Sequence, residues 1–304
     1  MQRATKRELR RIRYGRVFAH GVEHDEAIDL IVARAKSGLG GFVLTPNVDH
    51  IALARREPAM SEAYENCFLS LADGMPLVAI CRLLRLPLHH KVSGSDLLVP
   101  LLERCADDGL PIFFFGGSWE VCDRAQRMLK ERYPHIEITG HDSSDFDSHG
   151  NLQNAIDALH RARASGARII ICSLPPAKQV LLDQLMWEYA PAVGVATGGA
   201  LSFFVGDVKR APRWVSKCGL EWLYRLIQEP SRLWHRYLVE DLGALPAFMA
   251  MVLRRMTGRA LTERDRELEA LLPLIDADLD PDVREVFTTT HDGLSYEEIE
   301  AIAN

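Results

Sequence analysis

Between about Gly41 and Thr197, short β-rich apolar runs alternate with longer stretches whose apolar positions recur every three or four residues. That alternation predicts an α/β fold with a doubly wound, mainly parallel sheet and crossover helices. Strands are expected at Gly41 to Leu44, Pro76 to Ile80, Pro111 to Phe115, Ile136 to Thr139, Arg168 to Cys172 and Ala192 to Ala196. Helices are expected near Met60 to Leu71, Asp96 to Asp107, Trp119 to Arg132, Leu152 to Ala164 and Ala177 to Tyr189. Several of the strand runs are continuously apolar, as in parallel strands covered on both faces.

Ligands of such sheets sit beyond the carboxyl ends of the strands. The residues after the runs are polar and glycine-rich here: Thr45-Pro46-Asn47, Gly116-Gly117-Ser118, Ser173 to Gln179 and Thr197-Gly198-Gly199. Ala72-Asp73-Gly74 places a carboxylate in a tight turn just before the second expected strand. After Gly206 the pattern becomes basic, aromatic and helical, and after about Thr262 acidic. The expected organisation is a basic extension over 1–16, the α/β domain over 17–207, a helical appendage over 208–260 and an acidic tail over 261–304.

Composition and charge sharpen this picture. The 304 residues are 47% apolar, enough for one large α/β core with residues to spare. The six cysteines form no C-x-x-C pair and sit mostly in apolar stretches, which predicts reduced core thiols in a cytosolic protein. No signal-peptide run is present, and the apolar run Ala244 to Leu253 is about half of what spanning a bilayer requires. The protein is therefore expected neither to leave the cell nor to cross the membrane. A net charge of -6 conceals two basic segments, Arg3 to Arg16 and Lys209 to Arg259, which suggest a polyanionic surface as partner.

Each candidate chemical group has an ordinary structural alternative. Gly116-Gly117 with Ser118 as helix N-cap would let backbone N–H groups and a positive helix end face a diphosphate, or would simply form a tight β–α turn. No G-x-G-x-x-G fingerprint accompanies it, which weakens a dinucleotide oxidoreductase. Asp73 could take a proton from a sugar hydroxyl, or could be an Asp-Gly turn. Thr45 and Asn47 suit sugar hydroxyls, or an Asx turn. Lys178 and Gln179 could reach a phosphate or a uracil edge, or lie in a solvated first turn. Asp145-Phe146-Asp147 resembles a metal-diphosphate clamp but stands in a polar stretch with no apolar strand before it, so a solvated loop is expected. His89 and His90 lack a second ligand cluster, and no metal site is expected.

Taken in order, these segments resemble the WecG/TagA/CpsF family, glycosyltransferase family twenty-six. The matching stretches are Thr45-Pro46-Asn47-Val48-Asp49, Ala72 to Val78, Val92-Ser93-Gly94-Ser95-Asp96-Leu97, Phe114-Phe115-Gly116-Gly117, Pro176-Ala177-Lys178-Gln179 and Gly198-Gly199. The most specific is Gly206 to Tyr237, with Lys209-Arg210-Ala211-Pro212, Leu220-Glu221-Trp222 and Glu229-Pro230. The likeness implies an inverting transferase needing no metal and no cofactor. It would move an N-acetylhexosamine, hexose or uronic acid from a UDP-sugar to a polyprenyl-diphosphate-linked saccharide in cell-surface or exopolysaccharide synthesis. Asp73 is then the general base with Thr45 beside it, and Asn47 shares the sugar pocket. Lys91, Gly94, Asp96, Gly116, Gly117, Lys178, Gln179, Gly198, Gly199 and Arg210 would bind substrate. Arg213, Trp214, Lys217, Trp222, Arg225, Arg232 and Arg236 would seat a cytoplasmic enzyme on the inner face of the membrane.

Three positions depart from the family pattern. Lys91 stands where Arg is common, keeping a positive charge but losing the bidentate fork. Val180 and Ser202 stand where Glu and Asp are common, so two carboxylates are missing. A non-catalytic nucleotide-binding homologue, or another UDP-sugar or dinucleotide enzyme on a doubly wound sheet, remains as an alternative. Within the acidic tail, Gly293-Leu294-Ser295-Tyr296-Glu297-Glu298-Ile299 resembles the first part of a sigma-factor helix-turn-helix. It carries no recognition helix and is strongly acidic, so no nucleic-acid partner is expected. Oligomeric state is not legible.

Overall fold

The computed structural model describes residues 9, 11–14, 16–54, 57–83, 86–144, 152–208, 211–212, 215, 221–228 and 273–275. Its centre is a six-stranded, all-parallel sheet built from β3 (Gly41–Leu44), β4 (Leu69–Ser70), β5 (Ile112–Gly116), β6 (Ile138–Asp142), β7 (Ile169–Ser173) and β8 (Val193–Ala196). The strand order is β4-β3-β8-β7-β5-β6. A second sheet of three strands joins β1 (Arg11–Tyr14), β2 (Val17–His20) and β9 (Pro273–Ile275) in antiparallel pairs. It abuts the β4 edge, where His20 forms a bridge to Leu71.

Because strand side chains alternate between faces, each apolar strand feeds two cores. Phe42, Leu44, Phe113, Phe115, Ile170 and Cys172 point to one. There they meet α3 (Pro58–Asn66), α4 (Met75–Leu83), α7 (Leu152–Ala164), α8 (Pro176–Tyr189) and the β1-β2 hairpin. Val43, Ile112, Phe114, Ile169, Ile171, Val193 and Val195 point to the other. That side is covered by α1 (His24–Lys36), α5 (Gly94–Asp108), α6 (Trp119–Arg132) and the short α9 (Ala200–Phe204). Among the described residues the other helices are α2 (Val48–Ala54) and α10 (Glu221–Gln228). The doubly wound arrangement is thus the one expected.

The second strand is not. Pro76 to Ile80 lies inside α4, with Leu77, Val78 and Cys81 buried and Ala79 exposed, the spacing of a helix face. A short apolar run serves a buried strand or a buried helix equally well, and the proline sits at the second helical position, where its missing N–H costs nothing. The strand in that place is the two-residue β4, within the stretch expected to end a helix. One consequence is functional, since Asp73 follows β4 instead of preceding a strand. Arg11 to Tyr14, at the end of the basic N-terminal segment, forms β1 with Ile12 and Tyr14 buried. The five described cysteines are buried and unbridged.

Candidate active site

Thr45, Asn47, Asp73 and Thr197 all follow parallel strands on their carboxyl side, and hydrogen bonds tie their loops together. The Asp73 backbone N–H donates to Pro46 O at 2.8 Å, and the Val92 N–H donates to Ala72 O at 2.9 Å. The loops after β3 and β4 and the lead into α5 therefore form one bonded layer. Thr45 and Thr197 are buried, and their hydroxyls donate across the strand ends, to Ala196 O at 3.3 Å and Cys172 O at 3.2 Å. Both threonines act first as rivets between strands.

Ser93 caps α5, its Oγ accepting from Asp96 N at 3.2 Å and donating to Asp96 Oδ2 at 2.6 Å. Lys91 Nζ lies 2.9 Å from the same carboxylate oxygen. The two charged residues expected to meet substrate are thus partnered with each other. Gly94 is buried at the start of α5, where an added Cβ would come within 2.8 Å of Thr197 Cα. Its lack of a side chain lets this helix reach the loop after β8.

Asn47 is the N-cap of α2, its Oδ1 accepting from His50 N at 3.2 Å. Gln179, on the first turn of α8, is buried, and its Nε2 donates to Leu174 O at 2.8 Å. His50, which sequence reasoning passed over, lies between these two amides. Lys178 is half-buried on the same turn. Gly198, at φ +54°, has open space where a Cβ would stand, and Gly199 precedes α9.

Gly116 and Gly117 lie farther along the edge, at the end of β5, separated from β8 by β7. Gly116 has φ +82°, and an added Cβ would approach Ser173 O to 2.7 Å, so only glycine fits that turn. Ser118 caps α6 as expected, accepting from Val121 N at 3.3 Å. Arg210, Arg213, Trp214, Lys217, Arg232 and Arg236 lie outside the described residues, as do Asp145 and Asp147. Trp222 and Arg225 fall on α10, with side chains outside the description. Among the described residues no cluster of three or more His, Cys, Asp or Glu could hold a metal ion.

Residues 12–261 match the model of the glycosyl transferase WecG/TagA/CpsF family. The chain belongs to that family. It is a glycosyltransferase. A relative from Bacillus spizizenii is 28% identical over 222 residues, covering 73% of this chain and 82% of its own. It is named N-acetylglucosaminyldiphosphoundecaprenol N-acetyl-beta-D-mannosaminyltransferase.

Within this transferase the departures acquire a structural setting. Val180 is buried in the core formed with α7 and α8, where it makes an apolar contact in place of the carboxylate. Ser202 lies on α9, and its carbonyl accepts from Asp207 N at 3.0 Å. One turn beyond Gln179, Asp183 is fully buried with neither oxygen hydrogen-bonded, and burial raises its carboxyl to about 8. The buried Tyr64 hydroxyl, also unbonded, is driven well above its usual range by burial and by the charges of Cys67, Asp183 and Asp73. Neither residue carried a sequence signal, because an Asp or a Tyr within a helix is commonplace.

Proposed function

We propose that this glycosyltransferase moves the sugar of a UDP-sugar to a polyprenyl-diphosphate-linked saccharide, with inversion and without a metal. The observation that carries this reading is the bonded layer holding Asp73 beside Thr45 and Asn47 at the carboxyl edge of the sheet. The acceptor hydroxyl oxygen attacks the anomeric carbon, the bond from that carbon to the β-phosphate oxygen breaks, and UDP departs. Asp73 takes the hydroxyl proton as the new bond forms. In-line attack on the face opposite the diphosphate inverts the anomeric centre.

Three inter-strand steps separate β3 from β5, about 14 Å at the usual spacing. A donor with its sugar near Asp73 therefore has room to lay its diphosphate past Gly198 and Gly199 and its nucleoside toward Gly116 and Gly117. Lys91, Lys178 and Arg210 supply positive charge for the diphosphate. The Bacillus relative's name supports a polyprenyl-diphosphate acceptor. No described helix is long and apolar enough to cross a membrane. On α10, however, Leu223 and Ile227 stand one turn apart at 38% and 72% exposure, which favours an amphipathic contact with the cytoplasmic membrane surface.

The test offers UDP-N-acetylmannosamine, UDP-N-acetylglucosamine, UDP-glucose and UDP-glucuronate with an N-acetylglucosamine-diphosphate lipid, with and without chelator, and weighs the products by mass spectrometry. One donor should extend the lipid by one sugar at equal rate in both conditions. Extension lost in chelator and restored by manganese or magnesium overturns the metal-free mechanism, and extension by no donor overturns the donor and acceptor assignment.

A further inference from the structure

His50 is 2% exposed, on the first turn of α2, and each of its ring nitrogens faces an amide oxygen. Nδ1 lies 3.0 Å from Asn47 Oδ1, and Nε2 lies 3.3 Å from Gln179 Oε1. Neither amide can turn round without loss. Asn47 Oδ1 already accepts the His50 backbone N–H as helix cap, and Gln179 Nε2 already donates to Leu174 O. Both ring nitrogens therefore face an amide oxygen, and whichever nitrogen carries the proton donates to the amide it faces.

The surroundings hold the ring in this place. Tyr64 meets it edge to face, with centroids 6.3 Å apart and planes at 86°. Among the described residues, the elements against α2 carry Tyr64 on α3, Lys178 and Asp183 on α8, and His20 on β2 as enclosed titratable groups. Asp49 lies on α2 itself, and Asp73 follows β4.

We infer that His50 is a positioning residue for the donor site, set with its two ring nitrogens against the oxygens of Asn47 and Gln179. With the Asn47 oxygen so occupied, its amide hydrogens are the end left for oxygen atoms of the donor. Gln179, buried and bonded at both ends, serves as the far post of the same brace. The inference rests on the donor site proposed above for Thr45, Asn47 and Asp73.

The test has two arms. Nitrogen-15 NMR of the free protein near pH 7, with the His50 signals assigned by their loss in His50→Gln, should show a ring N–H protected from exchange with solvent. A His50 ring N–H that exchanges as fast as that of an exposed histidine would overturn the inference whether or not the protein transfers sugar. In the second arm, His50→Phe keeps a ring but removes both contacts, and should raise the KM for the UDP-sugar about tenfold or more with a smaller change in kcat. His50→Gln, which can still donate to one amide, should recover part of that loss. Wild-type KM in a folded His50→Phe protein overturns the inference. If His50→Phe does not fold, an unchanged KM in His50→Gln does so instead. Absence of transfer with every donor counts against the assigned reaction, and the NMR arm then decides on His50 alone.

Discussion

The backbone N–H of Asp73 donates to the carbonyl oxygen of Pro46 at 2.8 Å, which fastens the carboxylate-bearing turn after β4 to the loop after β3. The bond is main chain to main chain, so it survives substitution of either side chain. This fastening therefore persists in Asp73 variants.

Asp73→Asn is nearly isosteric and cannot accept a proton at neutral pH. Turnover should fall by about a hundredfold or more, with UDP binding nearly unchanged. Steady-state kinetics alongside calorimetric titration of UDP would check this. Turnover within a few-fold of wild type would remove Asp73 from proton transfer.

Gly94→Ala sets a methyl group 2.8 Å from Thr197 Cα, a clash between two backbones. We expect a loss of about 1–3 kcal/mol, with reduced activity as α5 shifts from the loop after β8. Gly109→Ala is the control: its φ is +62°, but no atom lies within 4 Å of the added methyl. It should cost about 1 kcal/mol, from backbone strain alone, and leave kcat unchanged. Equal effects on kcat in the two variants would show that the contact between Gly94 and Thr197 has no part in the site.

Two buried groups give the stability opposite pH dependences. Burial, with the Arg11 charge, pulls His20 down to about 3, while its Nδ1 accepts from Ser70 N at 3.0 Å. Below the unfolded value of about 6.5 the unfolded chain binds a proton that the folded His20 refuses, so stability falls with acid until about pH 3. Asp183 at about 8 acts the other way. Between about 4 and 8 the folded state holds a proton that the unfolded state has lost, so stability falls as pH rises. From pH 6.5 to 8 only Asp183 remains, worth about 2 kcal/mol or roughly 5 °C in Tm. Melting curves should show that drop in wild type and little of it in Asp183→Asn. Parallel Tm profiles for the two proteins would mean that Asp183 is ionised when folded.

Leu223 and Ile227 form an exposed apolar pair on α10. Replacing both with serine removes about 3 kcal/mol of burial if they enter the lipid surface, or roughly a hundredfold in vesicle affinity. Turnover with a water-soluble acceptor should be unaffected. Co-sedimentation with anionic vesicles equal to wild type would rule out this face as the contact.

Much of this was legible in the chain. The boundaries of α6 and α7 coincide with the sequence expectation, because Ser118 is a clear N-cap and both helices alternate apolar and charged residues at helical spacing. β1 was not seen, although Arg11-Ile12-Arg13-Tyr14 alternates at period two. Its arginines read as surface charge, whereas Arg11 lies over the Phe18 ring, 4.2 Å from its centroid, and Arg13 bonds to Glu65. Asp73 and Asn47 were visible through their motifs. His50 was not, because its meaning depends on Gln179, far away in sequence and brought close only when α8 packs beside α2.

β9 adds a different kind of constraint. It lies in the acidic stretch beyond the family match, yet it supplies the second neighbour of β1, with Ile12 opposite Ile275. The chain thus comes back to its own beginning. A protein cut at residue 261 would leave one side of β1 unpaired, so damage to the tail would appear first in the N-terminal hairpin.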